Sequence, residues 1–217
     1  MEQKQQPPLQ LQIEIGIDEA GRGPVLGPLV YGCTWWPADC ADEMKERYKF
    51  KDSKQTTVEE REEMYRQLKQ MQMEGFGTAV SISQPEEVSN EMLDVNGLNL
   101  NQLSYNSSAR LLKSVLEKGF RVKRILLDQL GPPAKHISEM RRQCGSLLSP
   151  DTEILSESKA DDRYPVVSAA SIIAKVTRDE LLENWDYVET KGGLKEIDHN
   201  FGCGYPSDPL AKKWLLD

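Results

Sequence analysis

The sequence predicts an α/β domain: one mixed sheet of five strands flanked by helices, with a small helical part at the C-terminal end. Three observations carry that prediction. The chain opens on β-rich apolar runs separated by Gly-Pro turns, and it then alternates helical periodicity with short apolar strands. Its 217 residues, 38% hydrophobic and 29% charged, suffice for a single large core. Three strands followed by helix, strand, helix, strand, helix is the order of a layered α/β architecture, and no internal repeat interrupts it.

Taken in order, residues 1–10 are Gln- and Pro-rich and read as a disordered tail, leaving 11–217 as one domain. Leu11 to Ile17 is a first, central strand; it ends in Asp18 and Glu19, and Gly21-Arg22-Gly23-Pro24 turns the chain. Gly27 to Trp36 reads as a second strand antiparallel to the first. Pro37 to Thr56 is polar and irregular. Thr57 and Glu60 form a capping box that opens a helix to about Met73, which Glu74-Gly75 breaks. Phe76 to Ile82 is a third strand, and Pro85 starts a short acidic helix.

Asn99 to Lys118 is a longer helix, with Leu100, Leu103, Leu111, Leu112, Val115 and Leu116 at helical spacing and Gly119 at its end. Val122 to Leu127 is a buried strand ending in Asp128. Ala134 to Cys144 is a basic helix, Thr152 to Ser156 a fifth strand, and Pro165 to about Val188 a long helix. A last short helix follows Phe201-Gly202-Cys203-Gly204-Tyr205-Pro206.

Bulk properties exclude several classes. No apolar run approaches the 18 or so residues of a membrane span, and the N-terminus has no apolar core of a signal peptide. Cys33, Cys40, Cys144 and Cys203 are scattered without a C-x-x-C pair, which argues against a zinc site or disulfide framework and for a reducing compartment. The formal charge of −8 argues against nucleic acid when taken alone, yet basic groups clustered on one face can still bind a duplex. No Ser-His-Asp or Cys-His order suits a covalent nucleophile. His136 and His199 read as ordinary loop or helix residues, and Met64, Met71 and Met73 as helix packing.

The acids point elsewhere. Asp18, Asp128 and Asp161 fall at or just beyond the C-terminal ends of three predicted strands, with Glu19 beside the first, and ligands of open α/β sheets gather at that edge. One acid after a strand is more often a turn former or helix cap. Four meeting there would hold two hard cations about 3.5–4 Å apart, a clamp for the attacking and leaving oxygens of an in-line displacement. Metal-assisted hydrolysis is the reaction class that follows.

Asp18-Glu19-Ala20-Gly21-Arg22-Gly23-Pro24 resembles the signature of type 2 ribonuclease H, the ribonuclease HII family. Val25-Leu26-Gly27-Pro28-Leu29-Val30-Tyr31 resembles its eukaryotic branch, the catalytic chain of a larger assembly. The resemblance continues in register through Asp52-Ser53-Lys54, Leu100 to Ser104, Leu127-Asp128 with Gly131-Pro132-Pro133, and Lys159-Ala160-Asp161. It then covers Tyr164 to Asp179 and Gly204-Tyr205-Pro206-Ser207-Asp208-Pro209. It implies a ribonuclease H-like fold and a site using two Mg²⁺ or Mn²⁺ ions, with catalytic ligands Asp18, Glu19, Asp128 and Asp161. Asp162 is a rival for the fourth place, though the Lys-Ala-Asp match favours Asp161.

The family hydrolyses the RNA strand of RNA–DNA hybrids and cuts on the 5′ side of single ribonucleotides in duplex DNA, leaving 3′-OH and 5′-phosphate ends. The roles that this implies are ribonucleotide excision repair and primer removal. Such an enzyme must sense one 2′-OH. Gly21-Arg22-Gly23 suits that, because a backbone without Cβ atoms approaches the sugar directly; Gly-x-Gly-Pro also explains a plain tight turn. Tyr205 resembles the family tyrosine that packs on the sugar after the ribonucleotide. Lys54 resembles a phosphate contact, with Asn101, Ser104, Lys175 and Arg178 as further candidates, and Arg22 also able to face phosphate. Lys123-Arg124 and Arg141-Arg142 read as solvated faces that could widen a basic surface.

Gln129-Leu130 follows Asp128 where eukaryotic relatives often have a small residue and Val. Those relatives also continue for several helices beyond the equivalent of Asp217, in a region that helps to bind two accessory subunits. The resemblance therefore leaves open a shortened chain of a heterotrimer or a protein acting alone, as bacterial relatives do. It implies nuclear location, although no import signal is visible. Two rivals remain: another ribonuclease H-like nuclease or integrase, and a non-catalytic nucleic-acid-binding homologue. Retention of all four acids counts against the second, because clustered carboxylates without metal repel phosphate.

Overall fold

The computed structural model describes residues 11–48, 56–95, 97–185 and 198–216. At its centre is β1 (Gln12–Ala20), whose residues from Ile13 to Asp18 are buried without interruption, the pattern of a strand covered on both faces. It pairs antiparallel with β2 (Leu29–Pro37), which pairs antiparallel with β3 (Gly77–Ser83). On its other side β1 lies parallel to β4 (Arg121–Asp128), and β4 parallel to β5 (Glu153–Glu157). The order β3-β2-β1-β4-β5 is the expected mixed sheet of five strands.

Period-2 alternation divides the core into two layers. Ile13, Ile15 and Ile17 face one layer with Tyr31, Trp35, Ile125 and Leu127, closed by Tyr105, Leu112 and Val115 of α4 (Leu100–Leu116) and Met140 of α5 (Pro133–Cys144). On the other face α7 (Pro165–Glu183) lies so close to the sheet that side chains would obstruct it. A Cβ on Gly16 would run into the Val166 carbonyl, and one on Gly32 into that of Ala170. Thr34 donates its hydroxyl to the Val166 carbonyl at 2.5 Å, which fixes the helix along the sheet. Buried Glu14 ties three strands together, accepting from Trp36 Nε1 at 2.7 Å and pairing with Arg124 at 2.6 Å. Lys123-Arg124 is thus not a wholly solvated pair: Arg124 is a brace inside the sheet.

Most expected boundaries hold within a few residues. The capping box of Thr57 and Glu60 opens α2 (Val58–Gln70), and the Asn99 side chain accepts the Gln102 N–H at 3.0 Å to cap α4. Between β3 and α4 lies α3 (Pro85–Leu93), the short acidic helix. Two local expectations need correction. The span from Pro37 to Thr56 is not all irregular: α1 (Ala41–Tyr48) forms because Met44 and Tyr48, four residues apart, bury one stripe of an otherwise charged turn. The long helix α7 ends at Glu183, short of Val188, while Asp161, just beyond β5 as expected, sits in a one-turn helix, α6 (Ala160–Arg163). The short last helix is α8 (Pro209–Trp214). The expected tail 1–10 lies outside the described residues.

Candidate active site

Parallel pairing of β1 with β4 sets Ile17 against Leu127, so the next residues, Asp18 and Asp128, emerge side by side at the C-terminal edge. With Glu19 they form a group in which one carboxylate oxygen from each residue lies within 4.8 Å of the others. Asp18 shares the α7 face with Gly16, while Glu19 shares the α4 face with Ile17, so the two acids bring both layers to one edge. Asp18 Oδ1 accepts the Glu19 N–H at 2.7 Å, and Asp128 Oδ1 accepts the Ala160 N–H at 2.9 Å, which anchors the start of α6. Asp161 follows directly. Its charge acts on Glu19 and Asp128, but its oxygens are not in the 4.8 Å group. Asp162 is exposed.

The electrostatics are those of a site short of positive charge. Burial pushes Asp18 up to about 7; the Ser171 hydroxyl, bonded to it, opposes that rise, and the charge of Asp128 adds to it. Burial, then the charges of Asp18 and Asp128, raise Glu19 well above the usual carboxylate range, and burial also raises Asp128. A divalent cation among these oxygens would offset the repulsion, and an all-carboxylate donor set suits a hard ion such as Mg²⁺ or Mn²⁺. Half-buried Lys175 stands on the α7 side, donating to Ser171 Oγ at 3.0 Å and lowering the proton affinity of both aspartates.

Beside the acids, the Gly21–Gly23 turn is held from three directions. Both glycines have left-handed φ, +84° and +87°, and a Cβ on Gly21 would meet the Pro28 carbonyl. The Gly21 N–H donates to the Tyr205 hydroxyl at 3.0 Å, and the Val25 and Leu26 N–H groups donate to the Gly204 carbonyl at 3.0 and 3.3 Å. Arg22 donates to the Asn101 side-chain oxygen, which brings Asn101 beside the turn.

Two phosphate candidates are placed differently from expectation. Arg178 is buried at 3% exposure, with Nε donating to the Pro28 carbonyl at 3.2 Å and Nη2 to those of Leu26 and Cys203 at 3.1 Å. Its guanidinium carbon lies 5.1 Å from the centre of the Tyr205 ring. It clamps the two loops instead of facing solvent. Ser104 is fully buried and donates to the Leu100 carbonyl at 2.7 Å, inside α4. Lys54 lies outside the described residues. Of the outer basic pairs, Arg141 donates to the Thr152 carbonyl at 2.8 Å and Arg142 pairs with Glu139 at 2.6 Å. Sequence reasoning missed Ser171 and Tyr31. The first stands four residues before Lys175 on one helix face, a visible spacing; the second needs strand register, which sequence alone does not supply.

Residues 15–217 match the ribonuclease HII family model. The chain is 43% identical over 202 residues to the A subunit of ribonuclease H2 from Arabidopsis thaliana, covering 93% of this chain and 64% of that protein. It is 40% identical over 206 residues to the same subunit from Dictyostelium discoideum, covering 93% and 68%. The chain thus spans about two thirds of the length of these relatives, slightly less for the Arabidopsis protein. Among solved structures, ribonuclease H2 from Pyrococcus horikoshii is similar with a TM-score of 0.70 at 33% identity, covering 94% of this chain and 85% of that one. The Archaeoglobus fulgidus ribonuclease HII, solved with PCNA, gives 0.72 at 29%, covering 94% and 87%. A ribonuclease HIII structure containing Mn²⁺ shares the fold at 19% identity and a TM-score of 0.67, covering 96% and 71%.

Proposed function

The chain belongs to the ribonuclease HII family, and from that premise we propose that it is a metal-dependent endoribonuclease. Its substrates are the RNA strand of RNA–DNA hybrids and single ribonucleotides in duplex DNA, cut on the 5′ side to leave 3′-OH and 5′-phosphate ends. The observation that carries this reading is the gathering of Asp18, Glu19 and Asp128 within 4.8 Å beside a turn whose first glycine is bonded to Tyr205. Cation site and sugar-facing loop are adjacent at one sheet edge.

Asp18, Glu19 and Asp128, with Asp161 as the fourth ligand, would hold two divalent ions. When bound, such ions activate water at neutral pH and stabilise charge on a phosphoryl group in displacement. The chain's own residues supply position. Ser171 orients Asp18, Ala160 orients Asp128, and Lys175 adds fixed positive charge where phosphate arrives. The Gly21-Arg22-Gly23 backbone reads the 2′-OH without a Cβ in the way, and the Tyr205 ring packs on the following sugar. Asn101, Arg22 and Lys54 fix the backbone of the duplex.

Ribonucleotide excision repair and removal of RNA primers are the roles consistent with these cuts, in the nucleus of a eukaryotic cell. Two accessory subunits are the proposed partners, by analogy with relatives that are themselves named as one subunit of ribonuclease H2. The direct test is labelled duplex DNA with one ribonucleotide, incubated with Mg²⁺ beside an all-DNA control. One cut 5′ of the ribonucleotide is expected. Equal cutting of all-DNA duplex assigns the chain to another nuclease class, and binding without cutting, unchanged in Asp128→Asn, makes it a silent homologue.

A further inference from the structure

Tyr31 of β2 stands directly across from Glu19 of β1. Opposed residues of an antiparallel pair present their side chains on one face, close enough to interact. Here that face is covered by α4, and the Tyr31 ring is fully buried in the layer that contains Tyr105 and Leu112. The hydroxyl is the anomaly: it is buried, and it has no hydrogen-bond partner among the described residues. Around it are Glu19, Ser104, Arg22 and Asp18. Ser104 Oγ gives its own proton to the Leu100 carbonyl at 2.7 Å and keeps a lone pair toward the phenol, close enough to act on it but outside hydrogen-bond geometry.

A buried hydroxyl without a partner costs stability, so packing alone would be served better by Phe at this place. The oxygen has to be explained by something it does in another state of the site. Side chains that orient a carboxylate ligand by hydrogen bonding are a regular part of metal centres. We propose that Tyr31 is a positioning residue of the candidate metal centre, its hydroxyl donating to the Glu19 carboxylate when cations are bound and fixing the direction of that carboxylate. This rests on the metal-dependent reading above. A phenol carries its proton at neutral pH and can donate it in a hydrogen bond.

Tyr31→Phe removes one oxygen and keeps the ring. In the full chain, with chelator and no substrate, its melting temperature should equal or exceed that of the wild type. Calorimetric titration with Mn²⁺ should then show affinity weakened on the order of tenfold, with the half-maximal cation concentration for cleavage rising in step. Unchanged Mn²⁺ affinity overturns the proposal. A second arm guards against a packing defect: in a Glu19→Gln background, Tyr31→Phe should weaken Mn²⁺ binding no further, and an additive loss also overturns it. If the wild type neither binds Mn²⁺ nor cleaves, the functional reading fails instead.

Discussion

The Tyr205 hydroxyl accepts the backbone N–H of Gly21 across 3.0 Å, joining segments 184 positions apart. The tyrosine is therefore not an independent aromatic platform. Whatever moves its ring also moves the turn beside Asp18 and Glu19, so the two elements are one unit.

That coupling predicts a graded response. Tyr205→Phe keeps the ring over Arg178 and loses only the bond to Gly21, whereas Tyr205→Ala loses both. Cleavage at a single ribonucleotide should fall modestly in the Phe variant and further, on the order of tenfold or more, in the Ala variant, the scale of 1–3 kcal/mol for a lost stacking contact. Long hybrids, which offer many cutting positions, should be affected less. Parallel rate measurements on both substrates check this, and equal losses would remove Tyr205 from junction sensing.

Arg178 stabilises the same unit from beneath. Its planar fork reaches three carbonyls on two loops, which the single ammonium of Lys cannot reproduce. Arg178→Lys leaves buried carbonyls unpaired and should destabilise the chain by on the order of 2–4 kcal/mol. For a chain of this size that lowers the melting temperature by about 2–4 °C per kcal/mol. Single-ribonucleotide and hybrid cleavage should fall together, unlike the Tyr205 variants. A variant that melts as the wild type does but has lost phosphate-dependent binding would restore Arg178 to the substrate surface.

How far the sequence disclosed this site depended on the range of the interaction. Asp18, Glu19 and Asp128 were legible because each follows an apolar run, and parallel strands necessarily bring their ends to one edge. Gly21 and Gly23 were legible because a turn beside those acids demands left-handed φ. Arg178 was misread because nothing local distinguishes a solvated arginine on a helix from one whose partners lie at residues 26, 28 and 203. Tyr31 stayed hidden for the same reason: only the register of β1 on β2 sets it against Glu19. Helix α1 was lost in a charged stretch because two buried residues make too short a period to recognise.

His136 gives the fold an acid-side liability. It is 1% exposed, its Nδ1 meets Ser156 Oγ at 3.1 Å, its ring stacks on Tyr105 at 5.0 Å, and Nε2 has no partner among the described residues. Burial lowers its pKa from 6.5 to about 4, so the unfolded chain takes up a proton at a pH where the folded chain does not. The stability this neutral ring contributes is complete above pH 6.5 and is lost as pH falls toward 4, at up to about 1.4 kcal/mol per pH unit. Denaturant unfolding between about pH 7 and 4.5 should show that slope diminished in His136→Gln. Parallel profiles for the two proteins would place the acid sensitivity elsewhere.

The choice between Asp161 and Asp162 can be decided by charge. Asp128 holds the Ala160 N–H at 2.9 Å, and Lys159, just before it, has a left-handed φ of 58°, so the start of α6 is fixed relative to the acids. From there the Asp161 charge raises the proton affinity of both Glu19 and Asp128, while Asp162 points to an exposed surface. A like charge that close is unfavourable without cations and useful with them. Asp161→Asn should therefore weaken Mn²⁺ binding and cut cleavage by on the order of a hundredfold. Asp162→Asn should leave Mn²⁺ affinity and cleavage rate each within about twofold, as expected of an exposed surface change. Calorimetry and cleavage rates on the two variants decide the matter, since loss of Mn²⁺ affinity in Asp162→Asn alone would move the fourth ligand one residue along.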